Sequence, residues 1–236
     1  MTSLLPAQLP LPISLVDRVE FSHFVAGPNA EIVRRLEAAV LAKSSDGAIF
    51  ISGRTGSGKS HLLQAACGLA SKLERTSFYL SLRDYASLAP ALLEGLEQAH
   101  VVAIDDVHCI VGQADWELAL FHLYNRAFER GTQLLFAADV PIASLSVHLA
   151  DLRSRLAWGF VFQLSELSEA EKTLALQQRA TARGFAFPDN VAKYLLRHYQ
   201  RDMRSLFELL DKLDFASLAQ QRRLTVPFVK GLLKML

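Results

Sequence analysis

Residues 53–60, GRTGSGKS, match the pattern G-x-x-x-x-G-K-[ST] of a phosphate-binding loop. Glycines let the backbone turn tightly, so that successive N–H groups point toward one anion. Lys59 is expected to reach the outer phosphates of a nucleotide, and Ser60 to offer its hydroxyl to Mg²⁺. The alternative is a glycine-rich turn with a chance lysine. The residues expected to contact the nucleotide here are Gly53, Thr55, Gly56, Ser57, Gly58, Lys59, Ser60 and His61.

Acidic residues end two other apolar runs. Asp105 and Asp106 follow the run 100–104, and Asp139 follows the run 132–138. An acidic residue at such a strand end holds Mg²⁺ opposite the phosphate loop, so Asp105 is predicted to bind the ion through water. Asp106 stands where a base could polarise an attacking water, and Asp139 where it would face the γ-phosphate. The alternative is two carboxylates in an ordinary strand-to-helix turn, where Asp is common.

The elements that must position these residues alternate along the chain. Apolar runs typical of buried strands are separated by segments with helical spacing of apolar residues. This order predicts a mostly parallel sheet covered on both faces, with the ligand at the carboxyl ends of the strands. The five predicted strands lie at 48–52, 77–81, 100–106, 132–138 and 160–164.

Only helices are predicted after the last strand. Ser168 and Glu171 form a capping box, and further helices open near Asp189, Asp202 and Thr225. The expected organisation is an extended tail at 1–20, an α/β core at 21–165 and an all-helical domain at 166–236. Within the core, residues 84–98 are predicted to be helical with a kink or break at Pro90.

Composition limits the function classes. The chain has 236 residues, of which 25 are basic and 24 acidic, so the near-zero net charge argues against non-specific nucleic-acid binding as the main role. Cys67 and Cys109 are predicted to be small buried residues in a reducing compartment. Neither a signal peptide nor a bilayer-length apolar run is evident, so a soluble cytoplasmic protein is expected.

Two segments before the phosphate loop have open interpretations. Pro6, Pro10 and Pro12 favour an extended tail, and the sequence QLPLP at 8–12 suits a peptide that docks in an apolar groove. A disordered leader is the alternative. Phe21 and Phe24 could sandwich an adenine or could belong to the core.

Residues 21–236 resemble the AAA+ family, and within it the bacterial replication initiator DnaA and, more closely, its regulatory inactivator, the Hda family. The resemblance implies an AAA+ phosphate-loop α/β/α core with a five-stranded parallel sheet and a C-terminal helical lid. The motifs that carry it are the loop 53–60, Ile104-Asp105-Asp106, Asp139, the run LRSRLAWG at 152–159 and the run DMRSL at 202–206.

The resemblance also assigns roles to single residues. Arg155 matches an arginine finger that acts on a neighbouring subunit's nucleotide; the alternative for Arg155 is an ion pair with an acidic residue of its own chain. Asp139 matches sensor 1, and Arg204 matches the lid arginine called sensor 2. Phe24 and Val25 fall in the segment that lies over the base. The implied cofactors are ADP or ATP with Mg²⁺. A clamp-binding peptide of this family matches Gln8, Leu9, Leu11 and Pro12.

The chain departs from the initiator in two ways that point to the inactivator. It stops at Leu236 without a DNA-binding helix-turn-helix, and residues 82–100 fill a gap where the initiator has a longer insertion. The resemblance therefore implies a negative regulator that docks on the sliding clamp of DNA polymerase III and stimulates ATP hydrolysis by DnaA. Little direct DNA binding is expected, and self-association is left open.

Two other functions compete with this one. Lys59, Ser60 and Asp105 would permit an ATPase such as a helicase loader, although Asp106 is shorter than the Glu that AAA+ hydrolases usually carry, which predicts weak turnover at most. A nucleic-acid-binding module is the third hypothesis. Near-neutral charge, the missing helix-turn-helix and the short insertion count against it.

Overall fold

The computed structural model describes residues 19–199, 202–220 and 222–233. The predicted clamp-binding residues Gln8, Leu9, Leu11 and Pro12 lie outside the described residues. Two compact units divide the rest of the chain, one at 19–167 and one from residue 168 onward. Each is described by itself below.

A single parallel sheet forms the centre of the first unit. Its strands are β1 (Ala48–Ser52), β2 (Ser77–Ser81), β3 (Val101–Asp105), β4 (Gln133–Ala138) and β5 (Gly159–Gln163). They are arranged in the order β2-β3-β4-β1-β5, which confirms the predicted five-stranded α/β architecture. β1, β3 and β4 are buried along their whole length, as expected for strands covered on both faces.

Helices cover both faces of this sheet. Because successive strand residues point to opposite sides, Ile49 and Ile51 join one apolar cluster and Phe50 joins the other. Four helices contribute further residues to these clusters: α1 (Ala30–Leu41), α2 (Lys59–Lys72), α3 (Ala114–Arg130) and α4 (Ala150–Ala157). Gly131 ends α3 in the left-handed conformation. No described helix is long and apolar enough to cross a bilayer.

Residues 84–98 differ from the prediction of a kinked helix. They form three short 3₁₀ turns at Tyr85–Ser87, Pro90–Leu93 and Leu96–Gln98. Ala89 is extended because the following proline disfavours helical backbone there, and Gly95 takes a left-handed conformation. These two interruptions leave no stretch long enough for an α-helix.

The second unit is all-helical, as predicted. Its helices are α5 (Glu169–Ala182), α6 (Asp189–His198), α7 (Met203–Gln220) and α8 (Val226–Leu233). The capping box of Ser168 and Glu171 is present at the start of α5. Asp202 caps α7, since its carboxylate accepts the Ser205 N–H at 2.9 Å. Leucines from α5, α6 and α7 form the core of this unit.

Both cysteines are free. The sequence predicts buried side chains at both positions, and the structure shows both as half-buried. The Cys67 thiol donates to the Phe78 carbonyl oxygen at 3.6 Å. Burial raises the pKa of this thiol to about 11, against a smaller opposing effect of Ser77. Cys67 is therefore held in the thiol form near neutral pH.

Candidate nucleotide-binding site

The glycine-rich loop lies between β1 and α2, at the carboxyl edge of the sheet. Gly58 has φ 99° and stands at the start of α2, where a Cβ would lie 2.7 Å from Cε2 of Phe24. A Cβ on Gly53 would lie 2.8 Å from the hydroxyl oxygen of Ser57. A side chain at either position would force these neighbours to shift, so glycine keeps the loop backbone and the start of α2 clear of side chains.

Lys59 is the central cation of the loop. Its side chain is only 5% exposed, and its ammonium group donates to the carbonyl oxygens of Gly53 at 2.7 Å and Arg54 at 3.0 Å. The same group lies 2.8 Å from Oδ1 of Asp139. The predicted loop lysine and the predicted strand-tip aspartate are therefore in direct contact.

Asp139 receives a second hydrogen bond from the loop. The Thr55 hydroxyl donates to Oδ2 of Asp139 at 2.7 Å. Burial alone would raise the pKa of the Asp139 carboxyl, but the hydrogen bonds from Lys59 and Thr55 and the charge of Lys59 hold that pKa below its usual value. Asp139 is consequently ionised and tied to the loop at neutral pH.

Asp105 is fully buried at the end of β3. The Tyr79 hydroxyl donates to Asp105 Oδ2 at 2.8 Å, and the Asp106 N–H donates to Asp105 Oδ1 at 2.8 Å. The Ser60 side chain also interacts with the Tyr79 hydroxyl, so the two residues predicted to hold Mg²⁺ share a neighbour. Burial, together with the charge of Asp105, raises the pKa of Tyr79. The sequence interpretation did not single out Tyr79.

Asp106 lies in the left-handed region with φ 56°, which is uncommon for a residue other than glycine. The Ser81 hydroxyl donates to its Oδ2 at 2.8 Å, and Arg83 donates to its Oδ1 at 3.2 Å. Both carboxylate oxygens of the predicted water-activating residue therefore already have donors from β2 and the segment that follows.

The segment predicted to lie over the base reaches the loop. The Phe24 ring and the His61 ring are 5.7 Å apart, and His61 Nε2 lies 3.0 Å from the carbonyl oxygen of Glu20. Phe21 and Phe24 both pack against one of the core clusters. Phe24 and Val25 are both half-buried. The Phe24 ring can therefore pack against the core while one of its edges lies next to the loop.

Arg155 lies in the last turn of α4. Its guanidinium carbon is 5.8 Å from the centroid of the Tyr124 ring, and the side chain is half-exposed. The alternative of an intramolecular ion pair is not observed, since Arg155 contacts no carboxylate among residues 19–199, 202–220 and 222–233. Tyr124 in turn donates to the carbonyl oxygen of Trp158 at 3.3 Å.

A buried carboxylate of α3 anchors the start of α4. Glu117 is 1% exposed and accepts the backbone N–H groups of Gly112 at 2.8 Å, His148 at 3.0 Å and Leu149 at 2.8 Å. Burial opposes ionisation, but these three donors keep the pKa of Glu117 below its usual value. The sequence gives one signal for this residue, a lone glutamate on the apolar side of a helix.

Arg204 belongs to the helical unit, on the first turn of α7. Its Nε donates to Glu208 at 3.0 Å, and both side chains are more than half exposed. An exposed pair four residues apart on a helix contributes only a few tenths of a kcal/mol. The guanidinium can therefore leave Glu208 at little cost, and its sensor role stays a prediction.

Comparison with known proteins gives the family. The model of the bacterial DnaA ATPase domain matches residues 15–163, and that of the Hda lid domain matches residues 169–233. Domain III of Thermotoga maritima DnaA superposes with a TM-score of 0.81 at 21% identity, covering 92% of this chain and 96% of that one.

Two further solved structures are similar in fold. A DnaA bound to AMPPCP and single-stranded DNA has a TM-score of 0.71 at 22% identity, covering 85% of this chain and 66% of that one. An R170A variant of Thermotoga maritima RuvB has a TM-score of 0.70 at 18% identity, covering 92% and 72%. Because the DnaA ATPase model matches more than half of the sequence, this chain belongs to the DnaA-related AAA+ proteins.

Proposed function

We propose that this chain is a nucleotide-bound negative regulator of chromosomal replication initiation. It docks on the DNA-loaded sliding clamp and stimulates ATP hydrolysis by the initiator DnaA. The match of residues 169–233 to an Hda lid supports the inactivator branch of the family. The observation that carries the proposal is Arg155, which is half-exposed on α4 and contacts no carboxylate of the described chain.

The loop fits the phosphates of ADP or ATP. The buried Ser57 hydroxyl has no hydrogen-bond partner in the part of the chain that the structure describes, and Lys59 is buried against carbonyl groups that a phosphate could replace. A hydroxyl from Ser60 and a carboxylate from Asp105 are the oxygen donors that Mg²⁺ prefers. When bound, the ion would neutralise phosphate charge. Arg204 and the Phe24–Val25 segment are proposed to contact the same nucleotide.

Arg155 is proposed to act on the partner's ATP rather than on this chain's nucleotide. A guanidinium beside the transferring phosphoryl group stabilises the charge that develops there, and it carries five donors in a fixed geometry. Arginine fingers supplied in trans accelerate hydrolysis by about 10³–10⁵-fold. The Tyr124 ring beneath the guanidinium limits its rotamers without neutralising its charge.

An exposed aromatic pair beside this arginine supports a protein partner. Phe128 and Trp158 are 54% and 51% exposed, and their rings meet edge to face at 5.2 Å. Tryptophan and arginine are enriched among the residues that contribute most to binding at protein interfaces. The initiator is the proposed occupant of this surface.

The test is turnover of ATP by the initiator in the presence of clamp-loaded DNA. We expect Arg155→Ala to lose most of the stimulation, by about 10³-fold or more. Arg153→Ala is the matched control, because Arg153 is exposed on the same helix and carries the same charge. Equal stimulation by Arg155→Ala and the parent chain would exclude the finger role.

The tail is proposed to supply the clamp contact through Gln8, Leu9, Leu11 and Pro12. An extended peptide with spaced leucines can dock in an apolar groove at low entropic cost. Pull-down with the sliding clamp should fall for Gln8→Ala and persist for Gln64→Ala, a matched change far along the chain. The proposed domains are a clamp-binding tail at 1–20, a nucleotide-binding core at 21–165 and a helical lid at 166–236, in a cytoplasmic protein whose partners are the clamp and the initiator.

A second candidate is an AAA+ ATPase such as a helicase loader. The complete set of Lys59, Ser60 and Asp105 favours it, whereas Asp106 counts against it because both of its oxygens are engaged by Ser81 and Arg83. Turnover by the isolated chain separates the two functions. Robust hydrolysis without clamp or initiator would favour the ATPase.

A further inference from the structure

The near-zero net charge of the whole chain is an average over two segments of opposite charge. Residues 168–236 contain 12 basic and 7 acidic residues, whereas residues 1–167 contain 13 basic and 17 acidic residues. With neutral histidines the formal charge is therefore +5 for residues 168–236 and −4 for the rest of the chain. Basic residues that cluster on one face are the electrostatic signature of a nucleic-acid-binding surface. The positions of the cations in the helical unit therefore matter.

The outer side of α6 carries several of these cations. Lys193 and Arg197 are exposed and lie one helical turn apart. The Lys230 ammonium of α8 lies 5.3 Å from the centroid of the Tyr194 ring, and the His198 ring lies 4.6 Å from the same ring. These five residues are called the α6–α8 surface below. The opposite side of α6 is buried and apolar, and consists of Val191, Ala192, Leu195 and Leu196.

Ion pairing distinguishes these cations from others of the helical unit. Lys193, Arg197 and Lys230 contact no carboxylate among residues 19–199, 202–220 and 222–233. On α5, by contrast, Arg183 contacts Asp211 at 2.6 Å. An anionic ligand can therefore pair with the three cations of the α6–α8 surface without first breaking an ion pair.

We propose that the α6–α8 surface binds the phosphate backbone of duplex DNA. Among the described residues of the helical unit, the exposed large apolar side chains are Leu174, Phe215 and Leu218, and these lie on α5 and α7. Protein interfaces have an apolar centre, and helices that lie on membranes insert apolar side chains. Protein–DNA interfaces are more polar and much more positively charged, as this surface is.

The dimensions and the aromatic contacts favour a duplex over a single strand. α6 has 10 residues and is therefore about 15 Å long. Duplex DNA carries one negative charge per about 1.7 Å of its axis, so several phosphates fit along the helix. Proteins that bind single strands stack bases on aromatic rings, but the Tyr194 ring already has His198 and Lys230 as neighbours.

A DNA contact of this kind fits the proposed function, which places the chain on a clamp that encircles DNA. Contacts to phosphate carry no sequence information, so the binding should be weak and independent of sequence. Together with the clamp-binding tail, it would give the chain a second attachment and raise its residence on the loaded clamp. This advantage rests on the proposed function, whereas the surface itself does not.

The test measures binding of the full chain to a short fluorescent DNA duplex by anisotropy, without clamp, initiator or nucleotide. Three phosphate contacts predict a slope of about −2.7 in a plot of log affinity against log salt. The affinity should therefore fall about 40-fold between about 50 mM and about 200 mM salt. Arg197→Ala should reduce the slope by about 1. Lys193→Ala, Arg197→Ala and Lys230→Ala together should abolish binding at about 50 mM salt.

A second combined variant controls for net charge. Arg34→Ala, Lys43→Ala and Arg130→Ala together remove the same charge from exposed positions outside the helical unit, and should leave affinity and slope unchanged. Arg197→Lys keeps the charge on α6 and should bind the duplex like the parent chain. This variant separates the loss of a phosphate contact from a change in the fold of the surface.

Four outcomes decide between the alternatives. Equal loss of binding in both combined variants, or the parent's affinity in the α6–α8 variant, overturns the proposal. Tighter binding of a single strand than of the duplex overturns the choice of duplex DNA. If the parent chain does not bind DNA at about 50 mM salt but the α6–α8 variant fails to stimulate the initiator, an acidic protein partner replaces DNA. Failure of the parent chain in the initiator assay with intact DNA binding would reject the proposed function and leave this surface standing.

Discussion

The carboxyl ends of the strands and the surface of α4 belong to one compact unit, but their charged side chains differ in whether they form ion pairs. At the strand ends, opposite charges and donors are locked together, as in the 2.8 Å contact between Lys59 and Asp139. On α4, Arg155 has an aromatic ring as its neighbour and no carboxylate among the described residues. The charges at the strand ends are therefore paired with each other, whereas the Arg155 guanidinium can pair with a group of a partner protein.

This difference indicates which kind of ligand each region can bind. An interlocked cluster fixes the geometry for a ligand held by the chain itself, and the ligand must replace contacts that already exist. An arginine without an ion pair can contact a partner without first breaking one, because no desolvated carboxylate is left behind. Regulation through a partner therefore needs the second arrangement rather than the first.

The largest expected effect comes from removing the anchor of α4. Glu117→Ala leaves three backbone N–H groups without an acceptor, each costing about 1–3 kcal/mol, so the free energy of unfolding of the core unit should fall by about 3 kcal/mol or more. Denaturation followed by tryptophan fluorescence measures the loss. Glu129→Ala, an exposed glutamate of the same helix, should change stability by less than about 0.5 kcal/mol. A similar loss in the free energy of unfolding for both variants would show that Glu117 does not anchor the start of α4.

The next effect tests the interlocked region. Lys59→Ala removes a charge-assisted contact to phosphate worth roughly 1.5–3 kcal/mol, so nucleotide affinity should fall about 10–100-fold. Calorimetric titration with ADP or ATP measures the change. Lys72→Ala is the control, because this exposed lysine lies at the other end of α2 and pairs with Glu20. Unchanged affinity in Lys59→Ala would place the phosphates elsewhere.

The smallest effect is a difference in acid sensitivity. In the folded protein the pKa of Glu117 lies below its usual value. The ionised Glu117 carboxylate therefore stabilises the fold above the unfolded-state pKa of about 4.3, and this stabilisation is lost as pH falls through the folded-state pKa. Asp139 follows the same sign. Between about pH 6 and about pH 3, Glu117→Gln should show a shallower fall of the melting temperature than the parent chain. Lys59→Ala should remove only the part of this pH dependence that Asp139 causes. Identical plots of melting temperature against pH for the parent chain and both variants would contradict the lowered pKa values of Glu117 and Asp139.

The sequence predicts much of this architecture because its signals are local. The strands, the loop 53–60 and the helix starts at Ser168 and Asp202 depend on residues within a few positions of one another. Parallel strands end at one edge, so the placement of Asp105 and Asp139 at the same edge of the sheet as the loop also follows from the predicted topology.

Other features depend on contacts between distant elements. Tyr79 is a typical strand residue and Glu117 a typical helix residue, and only packing brings them to Asp105 and to the start of α4. Arg83 contacts Asp106 for the same reason. At 84–98 the helical composition was outweighed by one proline and one left-handed glycine, which act through backbone conformation.

The position of β1 has a consequence for dynamics. The strand that leads into the loop is flanked by β4 on one side and β5 on the other, while β2 and β5 form the margins of the sheet. Amide protons in the middle of such a strand exchange with solvent through opening of the whole unit rather than by local fraying. A ligand that binds only the native state would therefore slow deuterium uptake across the central strands as well as in the loop.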